Sequence, residues 1–136
     1  MITHLALDKV KELKALYSNV SQKTIFSNCP FKIKKVNNHK TVGINHFNTL
    51  KNFLRGSKTF GESHNLKKLI NKNMTDAYLN KIKESPKNII VTVSNLTKNQ
   101  VEFKSINDFS FKDSRDWIWA SSNFVPFMSL LVKKQL

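Results

Sequence analysis

The sequence predicts an α/β fold in which several helices are followed by a buried β-hairpin and one further helix. Two changes of pattern along the chain support this prediction. Up to residue 86, apolar residues recur at helical spacing in short segments that end near glycine or proline. From residue 88 onward, a β-branched run and then an alternating segment indicate two strands. No repeat or flexible linker divides the 136 residues, so we expect a single domain, mainly helical in 1–86, with the hairpin and final helix in 87–136.

The first 41 residues are predicted to form two helices and a loop. A helix over residues 2–18 has its apolar residues at helical spacing, and Ser21 begins a short helix that runs to Phe26 and ends before Pro30. Residues 31–41 are basic, rich in asparagine and aperiodic, so we expect an exposed loop there. The apolar positions of the first helix are Leu5, Leu13, Leu16 and Tyr17.

Three more helices are predicted before the hairpin. Asn45 can cap a helix that ends at Gly56, because asparagine accepts hydrogen bonds from first-turn amides and glycine adopts the left-handed conformation that ends many helices. Two others follow: one opens at His64 or Asn65, and one runs from Thr75 to about residue 84.

The hairpin and the last helix complete the predicted fold. Residues 88–96 are predicted to be a strand covered on both faces, since the segment is rich in β-branched residues and nearly apolar at its start. A short turn leads to residues 101–106, which alternate as a returning antiparallel strand. A helix is then expected over 112–121, with Trp117 and Trp119 in the core.

The formal net charge of +14 raises the question of a polyanionic partner, because clustered cations bind phosphates. Nearly all the basic residues are lysines, with Arg55 and Arg115 the only arginines. The planar guanidinium is preferred where phosphates and base edges are recognised by paired hydrogen bonds. The lysines are also spread along the chain. We therefore favour a solvated lysine-rich surface and do not expect specific nucleic-acid binding.

The single cysteine, Cys29, precludes a disulfide within the chain and is typical of a reducing compartment, so a cytoplasmic location is predicted. Asp8 and Lys9 interrupt the N-terminal segment, which does not resemble a signal peptide. The longest apolar run, Phe124–Val132, is about half the length needed to span a bilayer. No membrane anchor is predicted.

The chain contains only three glycines, Gly43, Gly56 and Gly61, and their spacing excludes three site motifs that depend on glycine. These are the G-x-S-x-G nucleophile elbow, the G-x-G-x-x-G dinucleotide fingerprint and the G-x-x-x-x-G-K phosphate loop. The four histidines show no metal-binding spacing. No catalytic, cofactor-binding or metal-binding residue is therefore predicted.

Two pairs of residues come nearest to a catalytic group. Ser121 and Ser122 have no adjacent base and no glycine-built oxyanion hole. Asp113 and Asp116 are more typical of acids at a helix N-terminus than of a proton-sharing pair. We expect neither pair to be catalytic, and we expect Cys29 to be a small buried residue rather than a nucleophile.

Four segments, in order along the chain, resemble the patatin-like phospholipases. They are KELKALYSNVSQKTIFSNCPF, SKTFGESHNLKKLI, NIIVTVSNLTKNQVEFKSI and DWIWASSNFVPFMSLL. The third resembles that family's strand pair before its active-site return, and W-A-S-S-x-x-x-P in the fourth resembles the block before its catalytic aspartate. The resemblance implies an α/β domain that hydrolyses lipid esters through a serine–aspartate dyad, with this chain matching its middle part.

Neither residue of that dyad has a match in this sequence. The family's serine lies on a G-x-S-x-G elbow and its aspartate in a D-G-G or D-G-A motif, and both motifs are missing here, as is the glycine-rich oxyanion loop. The resemblance therefore implies that residues 1–136 are a single partial domain, catalytically incomplete on its own. It implies a lipid ester substrate for the complete domain and, as partners, the missing segments of that domain and an anionic membrane surface.

Two other hypotheses stay open. A lysine-rich module could bind nucleic acid or an anionic membrane through the basic segment Lys32–Lys40. A pseudoenzyme could keep the family's scaffold as an interaction surface, which the sequence does not separate from the first hypothesis. None of the three implies a cofactor.

Overall fold

The computed structural model describes residues 2–133 of a chain that divides into two compact units. Unit 1 consists of Met1–Val20 and Lys67–Ser122, and unit 2 of Ser21–Leu66 and Asn123–Leu136. The predicted mixture of helices and strands is confirmed, and the strands form two antiparallel hairpins. The elements are α1 (Ile2–Ala6), α2 (Val10–Ser18), α3 (Gln22–Ile25), β1 (Phe31–Val36), β2 (His39–Ile44), α4 (His46–Leu54), α5 (His64–Asn73), α6 (Asp76–Glu84), β3 (Ile90–Asn95), β4 (Gln100–Ser105), a 3₁₀ turn (Ile106–Asp108) and α7 (Phe111–Ser122).

The N-terminal helix of unit 1 is broken in two, whereas the sequence predicts one helix over residues 2–18. The break is at Asp8, whose φ of 56° lies in the left-handed region that aspartate tolerates better than most residues. On the far side of the break, Lys9 pairs with Glu12 at 3.2 Å. The prediction is wrong because one residue in the left-handed region ends a helix without disturbing the helical spacing of the apolar residues around it.

The core of unit 1 is mainly aliphatic, and α6 contributes much of it. The Oγ1 atom of Thr75 accepts a hydrogen bond from the backbone N–H of Tyr78 at 3.3 Å, which confirms the predicted start of α6. One face of α6 is then fully buried, with Leu79 and Ile82 at 1% and 0% exposure. The helix thus turns its apolar stripe inward, as surface helices of globular proteins do. The other buried members of the cluster are Met74, Tyr78, Ile89, Val91 and Ile106.

The predicted hairpin of β3 and β4 is present, but only one of its faces is covered. Val91 and Val93 are buried, and their cross-strand partners are Lys104 and Glu102, so these four residues share the covered face. The prediction of a strand covered on both faces is wrong, because a β-branched run is equally compatible with one covered face. The outer face consists of Ile90, Thr92, Ser94, Val101, Phe103 and Ser105.

Glu102 and Lys104 are paired with each other on the covered face. The Nζ atom of Lys104 lies 2.7 Å from Oε2 of Glu102 and 4.7 Å from the ring centre of Trp117. Hydrogen bonds from Lys104, and then from Asn95 and Gln100, lower the pKa of Glu102 to about 2. The half-covered charges are therefore compensated by direct contacts.

The helix predicted over residues 112–121 is confirmed by α7. Trp119 is buried, as the sequence predicts, while Trp117 is half-buried. The ring centre of Trp119 lies 4.7 Å from the Nζ atom of Lys67, a cation–π contact within unit 1. Both indole rings therefore belong to the interior or the rim of unit 1.

Unit 2 contains a hairpin where the sequence predicts a loop. Strands β1 and β2 pair from Phe31 opposite Ile44 to the turn, where Asn37 and Asn38 have φ values of 46° and 64°. Two consecutive residues in the left-handed region are what a type I′ turn requires, and asparagine tolerates that region. The prediction of an exposed loop over residues 31–41 is wrong. It took the high asparagine content as a sign of a loop, whereas two consecutive asparagines also form a tight hairpin turn.

Phenylalanine rings and a close backbone approach at Gly61 form the interior of unit 2. The ring centre of Phe127 lies 5.2 Å from that of Phe31 and 5.5 Å from that of Phe60. A Cβ atom at Gly61 would stand 2.5 Å from Cδ of Pro30 and 2.7 Å from the carbonyl oxygen of Phe127. Glycine is required at this position, because any side chain would collide with the ring of Pro30 and with backbone carbonyl oxygens.

Candidate functional site

The two serines considered as nucleophiles lie at the C-terminal end of α7 and use their hydroxyls within the helix. The Oγ atom of Ser121 donates to the carbonyl oxygen of Ile118 at 3.0 Å, and that of Ser122 donates to the same oxygen at 2.8 Å. This is the backbone bonding common for serine in helices. Each hydroxyl proton is directed to a main-chain carbonyl rather than to a general base.

The two aspartates near the start of α7 have different partners. Asp113 accepts a hydrogen bond from the Oγ atom of Ser110 at 2.8 Å, and its backbone N–H donates to that oxygen at 3.1 Å. Asp116 instead pairs with Lys67 at 2.9 Å. The structure thus places Asp113 in a helix cap and Asp116 in an ion pair with a lysine.

Cys29 is half-buried, and its Sγ atom lies 3.5 Å from the carbonyl oxygen of Phe31. Across residues 2–133, no three His, Cys, Asp or Glu side chains stand close enough together to hold a metal ion.

Positive charge is far less compensated in unit 2 than in unit 1. Unit 2 carries ten of the 23 basic residues but a single acidic residue, Glu62, which gives it a formal net charge of +9. Unit 1 holds the other eight acidic residues and has a net charge of +5. A search for blocks of lysine misses this asymmetry. The signal that reveals it is the absence of any aspartate or glutamate from residues 13–61.

Helix α4 buries a polar residue and exposes apolar ones. Its buried residue is Asn52, at 0% exposure, whereas Phe47 and Leu54 are 76% and 80% exposed. Leu50 is also exposed and lies between them at i+3 and i−4 spacing, so Phe47, Leu50 and Leu54 form one stripe along the helix. We call these three residues the apolar stripe. Because an apolar stripe normally faces a core, its exposure here marks a surface suited to another apolar phase.

A network of amide side chains holds α4 in this orientation. The Nδ2 atom of Asn28 donates to Oδ1 of Asn52 at 2.9 Å, and it also donates to the carbonyl oxygen of Asn48 at 3.1 Å. The Nδ2 atom of Asn52 donates in turn to the carbonyl oxygen of Thr59 at 2.9 Å. Rotating the helix to bury the apolar stripe would break these bonds, at a cost of about 1–3 kcal/mol for each buried group left unpaired.

The hairpin of unit 2 places lysines beside the apolar stripe. Because cross-strand partners share a face, Lys32 and Lys34 lie on the same side of the hairpin as Gly43 and Thr41. An open groove runs along this side and reaches the start of α4. Its lining includes Lys32, Lys34, Thr41, Gly43, His46 and Phe47, and we call it the lysine groove. Phe47 therefore belongs both to the apolar stripe and to the wall of the lysine groove.

Comparison of the chain with protein-family models, with curated proteins and with solved structures finds no match. The patatin-like resemblance of the four sequence segments therefore stays a prediction. No helix within residues 2–133 combines the length and the apolar character that crossing a membrane requires.

Proposed function

We propose that unit 2 binds the surface of an anionic lipid bilayer, with the apolar stripe among the lipids and the nearby lysines at the head groups. The observation that carries this proposal is the exposure of Phe47 and Leu54 on a helix that buries an asparagine. Interfacial helices combine such an apolar face with lysine and arginine around it. Helix α4 supplies Lys51 within its length and Arg55 directly after it.

The magnitudes favour the apolar stripe as the main source of binding free energy. Burying a Phe or Leu side chain contributes about 1.5–3 kcal/mol, whereas a lysine near an anionic membrane contributes about 1 kcal/mol. The lysines decide instead which membranes are bound, because their attraction requires anionic head groups and is screened by salt. We therefore expect binding that is selective for anionic vesicles at low salt and that persists in part at high salt.

The same features weigh against a nucleic acid as the partner of this surface. Leu50 and Leu54 are aliphatic, so they offer neither a ring for base stacking nor a donor for phosphate. Arg55 is the single arginine of unit 2, which leaves little capacity for reading base edges. Titration with duplex DNA should give weak binding that disappears on modest addition of salt.

Cosedimentation with vesicles of phosphatidylcholine, with and without phosphatidylserine, tests the proposal. The double substitution Phe47→Ser and Leu54→Ser should weaken binding to the anionic vesicles at least tenfold, because two of the three side chains of the apolar stripe are removed. The matched control is Leu96→Ser with Phe103→Ser in unit 1, since these side chains are also strongly exposed.

The control pair should bind vesicles like the parent protein. Two results would contradict the proposal: failure of the parent protein to bind anionic vesicles, or equal losses for the two double variants. Circular dichroism of both variants should match that of the parent, because all four side chains are solvent-exposed and exposed substitutions change stability little.

A second proposal is that the chain is part of a patatin-like lipid acyl hydrolase. It is supported by the order of the four sequence segments along the chain. A surface that binds lipid would suit such an enzyme as well, so vesicle binding does not separate the two proposals. A short-chain ester assay does. We expect no turnover from this chain, whereas hydrolysis that disappears in Ser121→Ala or Ser122→Ala would show that the chemistry resides here.

A further inference from the structure

We infer that the lysine groove binds the phosphate of a lipid head group and prefers a phosphomonoester, as in phosphatidic acid, over a phosphodiester. This inference rests on the membrane binding proposed above. It starts from the position of Phe47, which is common to the apolar stripe and to the wall of the groove. When the stripe enters the bilayer, the groove therefore lies at the level of the head groups.

The charge of the groove matches a phosphomonoester. Lys32 and Lys34 are two residues apart on one strand and share a face, so their Cα atoms are about 7 Å apart and their flexible stems can converge. None of the residues that line the groove is acidic. Neither ammonium has an ion-pair partner within residues 2–133. Two free cations complement a phosphomonoester, whose charge at neutral pH is about −1.5 to −2, better than a phosphodiester of charge −1.

The shape of the groove leaves room for the phosphate. Gly43 stands opposite Lys32, and a Cβ atom at this position would meet nothing within 4 Å. Thr41 stands opposite Lys34 and adds a hydroxyl, which in the free protein donates to the carbonyl oxygen of Lys34 at 3.2 Å. That hydroxyl can rotate to donate to a phosphate oxygen instead. The groove thus combines two ammonium groups, one hydroxyl and an open floor.

The experiment compares binding to vesicles that contain phosphatidic acid with binding to vesicles that contain phosphatidylserine, matched for zeta potential. The parent protein should prefer phosphatidic acid roughly tenfold, the effect of about 1.4 kcal/mol from the additional charge-assisted contacts. Lys32→Gln with Lys34→Gln should bring this ratio close to one. Lys35→Gln with Lys40→Gln is the matched control, because it removes the same charge from a cross-strand pair on the opposite face of the hairpin.

A second variant tests the groove without changing any charge. Gly43→Val places a branched side chain over the floor between the lysines, in a strand where valine is well tolerated and the site is sterically open. We expect it to fold normally, to bind phosphatidylserine vesicles like the parent and to lose the preference for phosphatidic acid. Inorganic phosphate at millimolar concentration should shift the NMR signals of Thr41 and Gly43 but should not release the protein from vesicles.

The outcomes separate this inference from the proposed function. Equal binding of the parent protein to both vesicle types would overturn the inference that the lysine groove binds phosphate. So would a preference for phosphatidic acid that the two lysine double variants lower equally. Both results would leave the proposed membrane binding intact. Retention of the preference by Gly43→Val would also overturn the inference. Release from the vesicles by inorganic phosphate alone would identify free phosphate, and not a lipid, as the ligand. Loss of all vesicle binding would instead contradict the proposed function.

Discussion

Helices α6 and α4 have the same length and similar caps, yet they bury opposite kinds of side chain. Each has nine residues and begins after a side chain that accepts a hydrogen bond from a first-turn backbone N–H, namely Thr75 before α6 and Asn45 before α4. Helix α6 buries Leu79 and Ile82, whereas α4 buries Asn52 and exposes its apolar stripe. Local sequence rules thus fix where a helix starts and ends, while the partners of its faces decide which face is hidden.

The same contrast extends to the two units. Unit 1 has an aliphatic core, and its thirteen basic residues are accompanied by eight acidic ones. Unit 2 has an interior of phenylalanine rings and amide groups and one acidic residue, Glu62. A net charge averaged over the whole chain conceals this division. The unit that departs further from ordinary patterning is unit 2, which exposes the apolar stripe.

Truncation of one leucine in each helix tests the comparison most strongly. Leu79→Ala should lower the free energy of unfolding by about 3 kcal/mol, because it leaves a cavity in a fully buried cluster. Leu50→Ala in α4 is its matched control and should change stability by less than about 0.5 kcal/mol. Urea unfolding followed by circular dichroism measures both. A large loss for Leu50→Ala would mean that the apolar stripe is covered in solution.

Gly61→Ala tests whether the interior of unit 2 is as tightly fitted as that of unit 1. We expect a loss of about 3 kcal/mol, since the added methyl group would collide with Pro30 and with the carbonyl oxygen of Phe127. Gly43→Ala is the control, because its methyl group meets no neighbour. Amide hydrogen exchange should show loss of protection in residues 59–63 for the first variant only. Equal protection in both would contradict the close approach described at Gly61.

Asn52→Leu tests the amide network by making α4 more apolar. The substitution keeps the approximate volume but removes one of the two acceptors of the Nδ2 atom of Asn28 and leaves the carbonyl oxygen of Thr59 without its donor from Asn52. We expect a loss of about 2 kcal/mol, the usual cost of buried groups left unpaired. The exchange rates of the α4 amides and the urea midpoint report the effect. An increase in stability would show that apolar packing, and not the network, sets the orientation of the helix.

The smallest expected effect is a dependence on pH that originates in unit 1. His4 is buried against the ring of Tyr78, with ring centres 5.3 Å apart. Burial lowers the pKa of His4 below its ordinary value of 6.5, Lys9 acts in the same direction, and Glu12 opposes them. The unfolded chain therefore takes up a proton that the folded chain resists, so stability is full above about pH 6.5 and decreases as the pH falls toward the folded pKa.

Urea midpoints at pH 7.5 and pH 5.5 measure this dependence. His4→Gln should flatten it, whereas His39→Gln, on the exposed hairpin of unit 2, should leave it unchanged. An equal effect of the two substitutions would contradict the assignment to His4.

Sequence reasoning predicted helix boundaries well wherever a side chain marks them. The caps at Asn45 and Thr75, the glycine after α4 at φ 81°, and the turn between β3 and β4 all stand where short-range chemistry places them. Such signals depend only on neighbouring residues, so they act in the same way whatever tertiary contacts the helix makes. The start of α5 at His64 and the bounds of α7 also agree with the prediction to within one residue.

The faces of the elements could not be predicted in the same way. The alternation of Val101 and Phe103 with charged residues marks β4 as a strand, yet these apolar residues point outward and Glu102 and Lys104 point to the covered side. In α4 the apolar stripe is outward too. Both inversions depend on long-range partners, Trp117 for Lys104 and Asn28 for Asn52, which periodicity alone does not reveal.

The positions of Trp117 and Trp119, the only two indoles of the chain, have a practical consequence. Intrinsic fluorescence excited at the indole band therefore reports on unit 1 alone. Phe47→Trp would supply a reporter in unit 2, and a blue shift of its emission beyond that of the native protein on the same vesicles would report that this side chain enters the bilayer.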